Sequence, residues 1–223
     1  AHNFDDLRTI AYARNACFDI ARELGYRYFV QLDDDYNWYC HRFDGEQYFE
    51  SKHVLIKSLD RVFGAMLDFL KATPTRTIAM AQGGDFIGGK QSSDAVLRLK
   101  RKAMNSFICD VERPVGFLGR INEDVNTYTR RASTGDLFFS FTQVFLHQKQ
   151  TQANSGGMTD VYLSSGTYVK SFYTVMFHPS SVTVEMMKSR SNPRLHHAVK
   201  WKNTVPKILS ERHRKASQNE YPY

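Results

Sequence analysis

Apolar residues recur at helical spacing from Leu7 through Ile10, Ala13 or Ala16, Cys17, Ile20 and Ala21 to Leu24, and Gly25 follows as a stop. The pattern predicts an amphipathic helix feeding a short apolar strand, Tyr28-Phe29-Val30-Gln31-Leu32. The helical period returns from Val54 to Leu70, with Leu59, Val62, Phe63 and Met66 on one face and Pro74 beyond its end. Thr77–Ala81 reads as the next strand, and a glycine-rich loop, Gly83 to Gly89, follows it. Ser106–Val111 and the aromatic-rich Leu137–Leu146 read as further strands. Gln148–Met158 is polar and glycine-containing, which predicts a mobile loop. Tyr162–Met176 reads as a helix and Ser181–Met186 as a strand, while Ser217–Tyr223 reads as a frayed tail. Helices alternating with strands predict an α/β domain. The chain opens at Ala1-His2 on a helix, so the first strand of such a sheet is expected to lie outside it.

Charge sharpens this picture. The 223 residues suffice for one sizeable domain with a full core. Net charge is +7 and the isoelectric point is near 9.3, which favours polyanionic partners such as nucleotides or nucleic acid. Arg98, Lys100, Arg101 and Lys102 form one basic cluster, and a second runs from Lys188 to Lys215. Two units are expected: a domain over 1–187, and a basic segment over 188–223 that closes over the site. No apolar run approaches the roughly 20 residues of a membrane span, and no signal peptide opens the chain. Cys17, Cys40 and Cys109 are odd in number and widely spaced, so they read as reduced thiols in a cytoplasmic protein.

The candidate chemistry lies in two acidic clusters. Asp33-Asp34-Asp35 ends the Tyr28–Leu32 strand, at the rim of a sheet where α/β proteins bind ligands. Three adjacent carboxylates are costly unless neutralised. They form either a solvated acidic turn or a station for a hard divalent cation that also holds a diphosphate. Asn122-Glu123-Asp124 follows the turn at Gly116 and Gly119. Asn122 there would cap a helix, and the acids would favour its positive end. Two acidic stations would also allow one to hold metal and the other to act as a base.

The combination resembles the GT-A glycosyltransferases: Arg14-Asn15 on a helix, Gly25, an apolar strand, Asp33-Asp34-Asp35, then a glycine turn, Glu123-Asp124 and Arg130 or Arg131. Gly156-Gly157-Met158-Thr159-Asp160 and Gly166-Thr167-Tyr168-Val169-Lys170-Ser171 are similar to the TET/JBP-associated glycosyltransferases, found largely in phage and associated with modifying hydroxymethylated DNA bases. The resemblance implies a GT-A-like, Rossmann-type mixed sheet flanked by helices. It implies transfer of a hexosyl or pentosyl group from a nucleotide-sugar, a UDP-sugar, to a hydroxyl acceptor in DNA, in the host cytoplasm where phage-encoded. Asp33 and Asp35 would bind Mn²⁺ or Mg²⁺ and the donor, supported by Asp34, Arg14 and Asn15. Asp124, with Glu123, would supply the base. His196 or His197, with His178 as a further candidate, would add a metal ligand, and Lys200 or Lys202 would steady the leaving diphosphate.

Three other readings stay open. Gly84-Asp85-Phe86-Ile87-Gly88-Gly89-Lys90 fits a phosphate loop except that Gln91 stands where Ser or Thr is needed. Asp33 and Asp35 also suit a phosphatase with a nucleophilic aspartate, although Asn37 departs from that pattern. The basic C-terminal region with Trp201, Tyr221 and Tyr223 suits a non-enzymatic DNA-binding module. Tyr36 and Trp38 either line a sugar pocket or pack the loop, and Phe138, Phe139, Phe141 and Phe145 are expected in the core.

Overall fold

The computed structural model describes residues 9–41, 54–81, 106–148, 159–187 and 194–204. The first helix, α1, spans Ile10–Glu23. Thr9 caps its start, with Oγ1 accepting from the Ala11 amide at 3.4 Å. It stops where Gly25 turns left-handed, at φ 77°, letting the Tyr26 and Gly25 amides donate to the Ala21 and Arg22 carbonyls. Strands β1 (Tyr28–Gln31), β2 (Tyr36–His41) and β3 (Val54–Leu55) follow, then helix α2 (Leu59–Ala72) and strand β4 (Thr77–Ala81). After β5 (Phe107–Asp110) come α3 (Glu123–Ser133) and the long strand β6 (Phe138–Gln148). The described chain ends with α4 (Thr159–Phe177), β7 (Val182–Met187), β8 (Arg194–Val199) and the short α5 (Trp201–Thr204).

Six strands form one mixed sheet in the order β1-β5-β4-β6-β2-β3. β4 and β6 are parallel, and every other neighbouring pair is antiparallel. β1 therefore runs in the same direction as β4 and β6, and the carboxyl ends of all three share one rim. β4 is buried at all five positions, which explains its unbroken apolar run, Thr77-Ile78-Ala79-Met80-Ala81. α2 covers one sheet face, packing Met66 and Leu70 against Ile78, Met80, Ile108, Val144 and Leu146. On the other face α1 packs Ala11 and Phe18 against Phe107 and Cys109, and α3 packs Val125 and Tyr128 against Ala79. β7 and β8 pair as a separate two-stranded sheet through six register positions, and Val199 and Trp201 beyond it reach the Tyr128 cluster. The result is a mixed α/β sheet flanked by helices, in keeping with the GT-A-like expectation.

Several local expectations change. The apolar stripe of α1 is only partly buried: Ala16 and Ala21 face the core, whereas Ile10, Ile20 and Leu24 are exposed, and Ala11, Arg14 and Phe18 complete the buried face. The buried ion pairs of Arg14, described below, fix the rotation of this helix more firmly than its aliphatic residues do. Val54 and Leu55 belong to a strand paired with β2, not to the helix after them. Gln148 ends β6 rather than opening a loop. β2 and β8 carry little alternating apolar pattern and were not foreseen. Phe145 is buried, and Phe138, Phe139 and Phe141 pack against core clusters, as expected. All three cysteines are free thiols. No helix among the described residues is long and apolar enough to cross a membrane. The glycine-rich segment of the phosphate-loop reading lies outside the described residues.

Candidate active site

The chain leaves β1 at the carboxyl rim and delivers Asp33, Asp34 and Asp35 there in a turn before β2. α3 begins at the same site with Glu123 and Asp124 in its first turn, where the helix's partial positive charge favours carboxylates. Arg14 joins the two stations. Its Nη2 donates to Asp33 Oδ1 at 2.7 Å and its Nε to Glu123 Oε1 at 3.0 Å. Arg14 is only 5% exposed, and its guanidinium lies over the rings of Phe107 and Phe117, at 5.2 and 5.5 Å. A charge buried this deeply is tolerable only because it is paired and hydrogen-bonded.

Asn15, the next residue, holds the glycine turn that leads to α3. Its Oδ1 accepts from the Phe117 amide at 2.7 Å and its Nδ2 donates to the Phe117 carbonyl at 3.0 Å. Gly119, at φ 88°, sits so close to Asn126 and Phe177 that an added Cβ would come within 2.5 Å of the Asn126 amide nitrogen. Asn126 in turn donates to the carbonyls of Leu118 and Ile121. Asn122 precedes α3 as expected, but its side chain does not cap it. The residue adopts φ 54°, a left-handed conformation that asparagine tolerates, and makes no side-chain cap bond. Its amide donates instead to the Lys170 carbonyl at 2.9 Å and to Thr174 Oγ1 at 3.0 Å, fastening α4 to the start of α3.

The electrostatics of the rim are uneven. Burial, and then the charge of Asp124, raise the pKa of Glu123 to about 7, outweighing the attraction of Arg14. Arg14 has to share one positive charge between Glu123 and Asp33. Tyr36 stands beside Asp33, and burial followed by the aspartate charge pushes its phenol well above the usual range. It therefore stays protonated. Asp35 Oδ2 accepts from Gln148 Nε2 at 2.7 Å, while its Oδ1 is buried with no hydrogen-bond partner among the described residues. Tyr36 was ambiguous in the sequence and Gln148 was not singled out. Nothing in the neighbouring sequence marks Gln148; its pairing with Tyr36 across β2 and β6 brings it to the aspartate turn.

Asp34 is exposed at the turn. His196 and His197 lie on β8, opposite Glu185 and Val184, with their rings 4.2 Å apart. Lys200 is exposed just beyond β8, and its amide donates to the Ser181 carbonyl. His178 is buried, and burial and Arg130 lower its pKa. Among the described residues, no group of three or more His, Cys, Asp or Glu side chains is arranged to hold a metal ion. The residue whose chemistry fits a hard cation is Asp35, through a buried carboxyl oxygen without a hydrogen-bond partner among the described residues.

A family model described as TET-Associated Glycosyltransferase matches residues 2–157. The chain belongs to this family. It is accordingly a glycosyltransferase, which replaces the phosphatase and non-enzymatic readings. The match covers Arg14, the aspartate triplet and Glu123-Asp124, and stops before β7 and β8 with His196 and His197. No curated protein and no solved structure matches the chain.

Proposed function

We propose that this family member transfers a sugar from a UDP-sugar to the hydroxyl of a hydroxymethylated base in DNA, with a divalent cation, Mn²⁺ or Mg²⁺, on the donor diphosphate. The observation that carries the metal dependence is the unmatched Oδ1 of Asp35 on a rim rich in carboxylates. Asp35 would hold the cation, with Asp33 and Asp34 beside it. A bound cation acts as a Lewis acid on the charge that develops on the leaving diphosphate, worth several kcal/mol. Arg14 keeps Asp33 and Glu123 in fixed register, so the donor side and the α3 side stay aligned. Asp124, partly exposed at the start of α3, takes the proton of the acceptor hydroxyl as its oxygen bonds to the anomeric carbon. The bond to the diphosphate breaks and its electron pair leaves with that group. The role of Lys200 with the diphosphate, like that of His196 or His197 as a further ligand, belongs to the same proposal. The net charge of +7 supports a polyanionic acceptor.

The test is mass spectrometry of DNA containing hydroxymethylated bases after incubation with the protein, Mn²⁺ and a panel of UDP-sugars. The expected result is a mass gain of one sugar residue that disappears with chelator. Transfer to free glycans but never to DNA would reject the acceptor, and transfer unaffected by chelator would reject the metal. Calorimetry of Asp35→Asn checks the metal role separately: Mn²⁺-dependent donor binding should be lost.

A further inference from the structure

On the sheet face opposite α1 and α3, a cavity of about 610 Å³ opens between the N-terminal half of α2, the β2–β3 edge and β6. Phe141, Gln143 and Val144 of β6 form one wall. Met80 pairs with Phe141 but Ala81 pairs with Phe145, so residues 142–144 bulge out of register with β4. The buried end of the cavity is apolar, with Met66, Val144 and the ring of Phe141, and Gln143 adds an amide. Its open end is basic: His41, Lys57 and Arg61 line it, and among the described residues no Asp or Glu does. Neither Lys57 nor Arg61 makes an ion pair or side-chain hydrogen bond among the described residues, unlike Arg14, Arg76, Arg113 and Arg131, which are all committed to carboxylates. His41 lies six residues of chain beyond Asp35, roughly 20 Å at strand rise, so this is not the acidic rim.

We infer that this cavity binds a nucleoside monophosphate unit, its base on the apolar floor and its phosphate at Lys57 and Arg61. The volume falls in the range of small-ligand pockets. A flat ring suits the floor, a side-chain amide can both donate to and accept from a base edge, and free basic side chains suit a phosphate. The same chemistry is offered by a free nucleotide and by one residue of a polynucleotide. The inference rests on the cavity and not on the transfer reaction proposed above.

The test is calorimetric titration of the whole chain with thymidine monophosphate, thymidine, inorganic phosphate, decanoate and a short oligothymidylate, without metal or donor sugar. Binding of the monophosphate, clearly tighter than thymidine or phosphate alone, is expected for a free-nucleotide site. Binding of the oligonucleotide alone is expected for a site that takes one residue of a polymer. The double variant Lys57→Ala/Arg61→Ala should weaken the bound form by roughly tenfold or more. Ala65→Trp, at the exposed edge of the lining, should block it by filling the cavity. Both variants change exposed positions, and an unshifted melting temperature checks that they fold. Failure of both nucleotide probes to bind, affinity unchanged in both variants, or decanoate binding as tightly as the monophosphate would each overturn the inference. Sugar transfer is not measured, so its absence leaves this result unaffected.

Discussion

At the amino ends of β4 and β6, Asp110 and Asp136 each meet two arginines. At the carboxyl ends, one arginine, Arg14, pairs with both Asp33 and Glu123. Asp110 is fully buried, paired with Arg113 at 3.1 Å and Arg27 at 3.5 Å, and Asp136 is paired with Arg76 and Arg131, both at 3.1 Å. Arg113 further donates to the carbonyls of Leu70, Thr73 and Thr75, tying the end of α2 to the sheet. Charge there is saturated and serves stability. On the rim, Asp34, Asp35 and Asp124 add to the two acids that Arg14 serves, and among the described residues one oxygen of Asp35 has no hydrogen-bond partner. Among the described residues, the same residue types thus form a closed structural network at one end and an acid-rich, more open one at the other. Carboxylates gathered at a sheet's ligand-binding end suit a site that a cationic group would complete.

The contrast can be broken by substitution. The largest expected effect is on the open end: Asp124→Asn should lower sugar transfer by about 10²–10⁴-fold while donor binding, read by calorimetry, is retained. Normal transfer by this variant would remove Asp124 from the role of base. At the closed end, Asp110→Ala leaves Arg113 and its neighbours short of a buried partner. It should cost about 3 kcal/mol in urea unfolding, the lower end of the range because Arg113 is part-exposed. A loss as small as that of a surface pair would show that this end is not the structural one.

Next in size is a pH effect at Glu123. Its folded pKa is raised above the unfolded value, so the stability linked to its protonated form is complete below about 4.5 and is lost as pH rises through about 7. Thermal melts across this interval should fall with pH in the wild type, and the fall should be shallower in Glu123→Gln. Identical slopes would show that Arg14, not burial, controls this carboxyl. The smallest effect is the stability of Asp35→Asn without metal. Removing a charge that lacks a full set of partners should change unfolding by less than about 1 kcal/mol, or stabilise the fold. A loss comparable to that at Asp110 would make Asp35 a structural carboxylate and erase the contrast between the ends.

Much of this was legible in the sequence because it depends on local order. A strand running into carboxylates, a glycine stop after a helix and a pair of acids opening another helix are read from neighbouring residues, and the structure has all three. The rotation of α1 was not legible. Its aliphatic stripe at Ile10, Ile20 and Leu24 predicts one buried face, while the partners that turn Arg14 inward lie far away in the chain. Asn122 misled for the same reason, since its amide is claimed by α4, 48 and 52 residues later. β2 and β8 escaped notice because their pairing, with β6 and β7, supplies the order that their mixed aromatic and polar sequences do not advertise.

The pairing of Arg14 with Glu123 spans 109 residues, and the adjacent Asn15 reaches 102 residues to Phe117. A nascent or partly unfolded chain that has not yet docked α3 against α1 holds its three aspartates beside half a counter-ion lattice, and they repel. The rim exists only once α3 has docked against α1 across that long loop, whose closure costs entropy. Catalytic competence in this chain therefore reports on that docking: a form with α2 packed on the central strands but α3 undocked would be compact yet inert.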